Sequence, residues 1–376
     1  MLASWGMSSP ARSILSPPLL AKLAALATRP ATNLEVDDII TELAALPAHL
    51  VVRASREIAT TAGLGWWQPE SRPRRVLPTH RAILFFHRIK ERLWPKSPPV
   101  PFPSDRELLA ANANLAWLFL FHPSGYVRVA ALHRINTAPT SPFFLAALAW
   151  RLNDWVPQVR EAARLCAERE LPLVDAHVAA TAAPYLLGRR IVWNRWTHEQ
   201  NTLDKAFARK DVLEALATQL RIGTTGPLAA CLRHALRFSD IDGYLLELAR
   251  HARQPSVRAL AYRCLISGQA DWVVGFEWMW IDKVYFQRQR VPKLETRQIR
   301  TIEPAASLLR EAARDKSATV RKTAADALIA EQCWLPDREN FVVQLAQDRS
   351  TAVRSRADFL LRHPPSADTQ TVGPSS

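Results

Sequence analysis

NDWVPQVREAARLC, residues 153–166, is the stretch whose reading decides the fold. Asp154 stands six residues before Arg160, Val159 directly precedes that arginine, and Ala163 follows three residues after it. Val, Ala and a later apolar residue at this spacing draw one buried stripe along a helix. A position that must stay small marks a close approach of two helices. The same pattern returns in HPSGYVRVAALHRI (122–135), RQPSVRALAYRCL (253–265), DKSATVRKTAADAL (315–328) and DRSTAVRSRADFLL (348–361), and more weakly in PAHLVVRASREI (47–58).

The repeated arginines are Arg53, Arg128, Arg160, Arg258, Arg321 and Arg354. Ala131, Ala163, Ala261, Ala324 and Ala357 hold the small position, and only the first unit departs, with Arg56. Asp154, Asp315 and Asp348 precede three of the arginines, where the other units have Pro47, His122 and Ala252. Two neighbouring gaps are 32 and 33 residues. The 98 residues from Arg160 to Arg258 read as three such units, and the 63 from Arg258 to Arg321 as two. The first gap of 75 requires an insertion. A period in this range is the signature of a stacked array.

In these residues the chain resembles the HEAT-repeat family, in the bacterial form called PBS-lyase-like HEAT repeats. The resemblance covers roughly residues 107–363 with gaps, and weakly 34–64. It implies an all-α fold: an α-solenoid of stacked HEAT-like helix pairs, here with an atypical N-terminal helical region. It also implies that each Val-Arg opens the second helix of a pair. Asp154, Asp315 and Asp348 would then sit in the preceding turn, accept N–H groups at the helix start and pair with a repeat arginine along the stack, with Arg160, Arg321 and Arg354 as arginines of this structural ladder. The expected organisation is a degenerate repeat in 1–64, a Pro/Arg-rich linker or insertion with a short helix in 65–104, the solenoid in 105–363 and a disordered tail in 364–376.

Composition agrees with a helical protein. Gly is scarce at 11 of 376 residues, fewer than tight-turned sheets or nucleotide-binding α/β folds require. The net charge is +14, so anionic partners are favoured at long range. Only 9 of the 49 basic residues are Lys, a bias that genome composition alone produces. Cys166, Cys231, Cys264 and Cys333 are far apart and lie in apolar stretches, which suits buried reduced thiols rather than disulfides or a zinc site. The first 20 residues lack the layout of a secretory signal. LLAANANLAWLFLF (108–121), the most apolar window, is too short to span a bilayer. The expected location is the cytoplasm, with no membrane partner.

Insertions into an array project onto a surface and are places for function. Residues 65–103 hold eight prolines, and 72–96 are the densest basic stretch, including Arg74 and Arg75. LLGRRIVWNRWTHEQNTLDKAFARKDVLEAL (186–216) and VVGFEWMWIDKVYFQRQRVPKLETRQIRTIEPAASLL (273–309) share an outline: apolar pair, Gly, an aromatic-rich helix, a basic stretch, then another helix. Phe276, Trp280 and Val284 at i, i+4 and i+8, with Trp278, Ile281 and Tyr285 beside them, predict that FEWMWIDKVYF is a packed helix. QRQRVPKLETR then reads as an exposed basic loop. The candidate partner-binding residues are Arg74, Arg75, Trp193, Arg195, Trp196, Arg288, Arg290, Lys293 and Arg297.

No phosphate-cradling GxxxxGK[ST] or GxGxxG, no HExxH and no GxSxG is present. No catalytic residue, metal ligand or cofactor is assigned. The expected function is a non-catalytic HEAT-repeat scaffold that binds a protein or peptide. The alternatives are sequence-nonspecific nucleic-acid binding and a DNA-repair glycosylase of HEAT-like fold, the latter with Trp155 beside Asp154 and Asp282 beside Trp280 as its ingredients.

Overall fold

The computed structural model describes residues 13–28, 32–64, 104–301, 303–330 and 335–363. Among these the chain is mostly helical, with one small two-stranded antiparallel sheet. It falls into two compact units, residues 1–173 and 174–376.

The first unit contains α1 (Pro17–Leu26), α2 (Asn33–Ala44), α3 (Val51–Thr61), α4 (Asp105–Ala111), α5 (Leu115–Phe119), α6 (Gly125–Arg134), α7 (Pro142–Leu152) and α8 (Pro157–Glu170). Local chemistry sets the helix starts. Thr32 with Glu35 and Ser104 with Glu107 form capping boxes at α2 and α4. Ser141 caps α7, and proline opens α1, α7 and α8, where no N–H is needed. PFFLAALAWRL of α7 is buried along nearly its whole circumference. It packs against α2, α3 and α8, with Phe144 and Phe143 meeting Trp117 and Phe121 at 5.3 and 5.8 Å. The apolar window 108–121 is broken at Asn112–Asn114 and continues into buried Leu115–Phe121. Among the described residues no helix is long and apolar enough to cross a membrane.

The second unit contains α9 (Ala176–Leu186), α10 (Gln200–Phe207), α11 (Lys210–Ile222), α12 (Leu228–Ala235), α13 (Asp242–His251), α14 (Pro255–Ser267), β1 (Gln269–Asp282), β2 (Gln287–Gln298), α15 (Ala305–Ala313), α16 (Ala318–Ile329), α17 (Arg338–Ala346) and α18 (Thr351–Arg362). Helices pack on their chain neighbours, as α13 does on α14, α15 on α16 and α17 on α18. They also pack on the next but one: α9 on α11, α11 on α13, α12 on α14, α14 on α16 and α16 on α18.

Five Val-Arg pairs lie in the first turns of α6, α8, α14, α16 and α18. Ala131, Ala163, Ala261, Ala324 and Ala357 are completely buried, as a small residue at a helix–helix contact must be. In the weakest copy the stripe is displaced by one residue. Val51, not Val52, is buried in α3, together with Ala54 and Ile58.

Two expectations are corrected here. FEWMWIDKVYF is not a helix, and the fold is therefore not purely α: residues 276–282 lie in β1, and a turn at Lys283–Phe286 leads into β2. Nor does the 63-residue gap from Arg258 to Arg321 contain two helical units. It contains the helix pair α15 and α16 plus the ribbon Gln269–Gln298, which is 30 residues long. Removing those 30 from 63 leaves 33, the spacing from Arg321 to Arg354. The ribbon is thus an insertion between two otherwise adjacent units. α14 ends at Gly268, whose φ of 66° suits glycine, and the N–H of Ile299 donates to the carbonyl of Gly268 at 2.8 Å. The chain leaves and re-enters the helical body at one point.

Candidate functional site

Two sets of side chains emerge, one internal and one exposed. The internal set is built on the repeated arginines. Arg258 Nη1 donates to the carbonyls of Ala252 and Arg253, while Nε and Nη2 fork onto both oxygens of Asp315 at 2.8 Å each. Arg321 repeats this geometry, with Nη1 on the carbonyls of Asp315 and Lys316 and a fork onto Asp348 at 2.6 and 2.8 Å. Arg354 Nη1 then donates to the carbonyl of Asp348. Each aspartate also accepts an N–H at the start of its own helix, Ser317 for Asp315 and Ser350 for Asp348.

The same arrangement stands in the first unit. Arg128 and Arg151 both bind Asp154, at 2.9 and 2.5 Å, Val156 N–H donates to it, and Arg160 donates to its carbonyl. The partners of the ladder aspartates are therefore the arginines of the preceding unit, Arg128, Arg258 and Arg321. Each aspartate's own arginine, Arg160, Arg321 or Arg354, holds its backbone carbonyl.

These contacts use up the carboxylates. Burial pushes Asp315 upward, but the Arg258 fork and the Ser317 N–H outweigh it and hold the group below its ordinary value. The Arg321 fork does the same for Asp348. Burial lowers Arg151 to about 10, despite Asp154 beside it. Asp154, one of the two carboxylates considered for glycosylase chemistry, has both oxygens engaged and is buried, while Trp155 points outward. The other, Asp282, accepts Val284 and Tyr285 N–H groups and so shapes the ribbon's turn.

The exposed set lies on the ribbon. Aromatic and β-branched residues on β1 favour a pleated strand. Pro292 in β2 is tolerated because a two-stranded sheet has only edges. The register sets Phe276 opposite Pro292, Trp278 opposite Arg290 and Trp280 opposite Arg288. Alternation places these six on one face. Arg290 lies 4.2 Å from the centre of the Phe276 ring, and Arg288 lies 5.4 and 5.2 Å from those of Trp278 and Trp280, within cation–π range. Phe286 in the turn extends the row, edge-on to Trp280. The rings remain open to solvent, Phe276 at 44%, Trp278 at 62% and Trp280 at 45% exposure. Arg288 and Arg290 have no carboxylate partner among the described residues.

The remaining candidates separate from this face. Lys293 stands opposite Gly275 on the other side of the ribbon. Arg297 is a clamp: Nη1 and Nη2 fork onto Asp242 at 2.6 and 2.5 Å, and Nε and Nη2 donate to the carbonyls of Leu236 and Phe238. It binds the ribbon base to the start of α13. Trp196 is buried and stacks edge-on with Trp193, which in turn meets Tyr185, under Arg189. That cluster is packing rather than an open surface, although Arg195 beside it is exposed. The segment expected as an aromatic-rich helix there is a 3-10 turn, Leu187–Ile191, followed by irregular chain. The turn packs against β1, so the two likened segments are neighbours. Arg74 and Arg75 lie outside the described residues.

Among the described residues no group of three or more His, Cys, Asp or Glu side chains is placed to hold a metal ion. Cys166, Cys231 and Cys264 are buried, and burial raises their thiols to about 12, 12 and 11. They are far from thiolate chemistry at neutral pH. No family model, no curated protein and no solved structure matches this chain.

Proposed function

We propose that this chain is a non-catalytic binding protein in which HEAT-like helix pairs form a scaffold and the β1–β2 ribbon is the recognition element. The observation that carries the reading is the ribbon's exposed row of rings and unpaired arginines on an insertion that the array does not need. Large apolar side chains held in water on an ordered element are costly unless a partner covers them. The HEAT-like stacking is supported by the repeated Arg–Asp fork between successive units and by the next-but-one packing of α9 on α11, α11 on α13, α12 on α14, α14 on α16 and α16 on α18. Of the two carboxylates considered for glycosylase chemistry, Asp154 is held by Arg128 and Arg151 and Asp282 by N–H groups of its own turn.

The test compares the full chain with a variant lacking the ribbon. Each is expressed in the source organism and recovered under mild conditions. The intact chain should carry a bound macromolecule that the ribbonless chain loses while keeping its thermal unfolding transition. Equal recovery from both would refute the ribbon as the recognition element.

A further inference from the structure

We infer that the Phe276–Trp278–Trp280 face of the ribbon binds single-stranded nucleic acid, with bases stacked on the rings and phosphates held by Arg288 and Arg290. The inference rests on the reading of the ribbon as a recognition element and names its partner class.

Charge complementarity supplies the first argument. The chain carries +14, and Arg288 and Arg290 are the charged groups between Phe276 and Trp280 on this face. Glu277 lies opposite Val291 on the other side. An acidic polymer therefore meets no repulsion on the aromatic row. A second copy of the same face would set arginine against arginine.

The second argument is spacing. Alternate residues of a strand are about 6.8 Å apart, twice the rise per residue. That is about twice the 3.4 Å rise between stacked bases of a duplex strand. Consecutive bases can occupy consecutive rings only if they are unstacked from each other, as in a single strand. A duplex keeps its bases inside and offers this row nothing but phosphates. The alternation of ring and guanidinium is the combination that single-strand binders use: a π-face for any base beside a cation for its phosphate.

The third argument concerns the edges. A partner peptide would add as a strand to a sheet edge. β1 is interrupted by irregularities at Val273/Gly275 and Trp280/Asp282, and Pro292 removes a donor from β2. Such features discourage strand addition and leave the face as the accessible surface.

The experiment titrates the full chain into a fluorescein-labelled oligothymidylate of about 15 nucleotides at about 50 mM salt. The same titration uses a duplex of equal length and a poly-glutamate peptide. The expected result is tighter binding of the single strand than of either competitor, with quenching of tryptophan fluorescence. Trp278→Ala and Trp280→Ala should each weaken it about 10-fold, and Trp278→Phe should restore most of the loss. Arg288→Gln with Arg290→Gln should lower the slope of log affinity against log salt by about 1.4.

Unchanged unfolding temperatures in these variants separate lost contact from lost fold, since the ribbon lies outside the helical body. No binding of the oligonucleotide overturns the inference, as does equal binding of the duplex or the peptide, or indifference to Trp278→Ala. If the ribbonless chain still loses its native partner while the oligonucleotide fails to bind, the nucleic-acid assignment falls and the recognition element stands.

Discussion

Excising Gln269–Gln298 and joining Gly268 to Ile299 through one glycine should leave a folded protein of nearly unchanged stability. The losses are countable. Ala270 is fully buried and its methyl contributes about 0.8 kcal/mol. The Arg297–Asp242 fork, with both side chains 21% exposed, and the Arg263–Asp271 ion pair at the base of β1 together contribute about 2 kcal/mol once solvent screening is allowed for. The Arg297 bonds to the carbonyls of Leu236 and Phe238 add about 1 kcal/mol. Against these, shortening the excursion from 30 residues to one recovers roughly 3 kcal/mol of closure entropy. The balance is a destabilisation of about 1 kcal/mol, a shift of a few degrees in a chain of this size.

The expectation from sequence gives a different number. Had FEWMWIDKVYF been a packed helix, its removal would strip several large apolar side chains at about 1.5–3 kcal/mol each. That loss is comparable to the whole stability of a domain. Differential scanning calorimetry of the excised and intact chains separates the two cases. A cooperative transition within about 5 °C of the parent supports an insertion. Loss of cooperative unfolding would refute the reasoning, and with it the 33-residue spacing argument.

Three further outcomes follow from the internal ladder and the thiols. Asp348→Ala leaves Arg321 buried without its partner and should cost about 3–5 kcal/mol in urea unfolding; a cost below about 1 kcal/mol would show that the fork is not a structural tie. Asp315 and Asp348 titrate below their ordinary 3.8 in the folded chain, so the unfolded chain binds protons first on acidification. Their stabilisation is complete above the unfolded value and is lost as pH falls through the folded values. Asp348→Asn should accordingly flatten the acid limb of the stability curve below about pH 4, and an acid limb unchanged by that substitution contradicts the assignment. Cys166, Cys231 and Cys264 should resist an aromatic disulfide reagent at pH 8 until urea unfolds the chain, as read by peptide mass; rapid labelling of any of the three in the folded protein contradicts their burial.

The helical part of the fold was legible because its signal is redundant. Valine, arginine and alanine recur at fixed offsets, and each is needed by a separate contact: Val and Ala by the buried stripe, Arg by the carbonyls behind it and the aspartate ahead. The identity of the aspartates' partners was less legible. Asp315 lies 57 residues from Arg258, and Asp348 lies 27 from Arg321, so the two forks look unrelated until the ribbon is removed from the count. The role of Arg297 was hidden for the same reason: its partners Leu236, Phe238 and Asp242 are distant in sequence.

The helix expectation fails at the ribbon for a geometric reason. Phe276, Trp280 and Val284 are separated by four, a spacing that lies on one face of a helix and also on one face of a strand, because four is even and near 3.6. Trp278 was the residue that distinguished the two. In a helix it needs a second apolar stripe, and a doubled stripe requires burial on two sides. In a strand it completes a single row with Phe276 and Trp280, opposite arginines that alternate with glutamines in QRQR. The strand accounts for both halves of the segment with one period of two, where the helix needed a helix and a loop. The aromatic and basic halves are therefore not merely adjacent in sequence: pairing of β1 with β2 brings Arg288 and Arg290 onto the rings. A two-stranded ribbon is marginal on its own, and this one stabilises its helical body little. Packing does not explain its composition, which is why the proposed function rests on this segment rather than on the longer and more legible helical part.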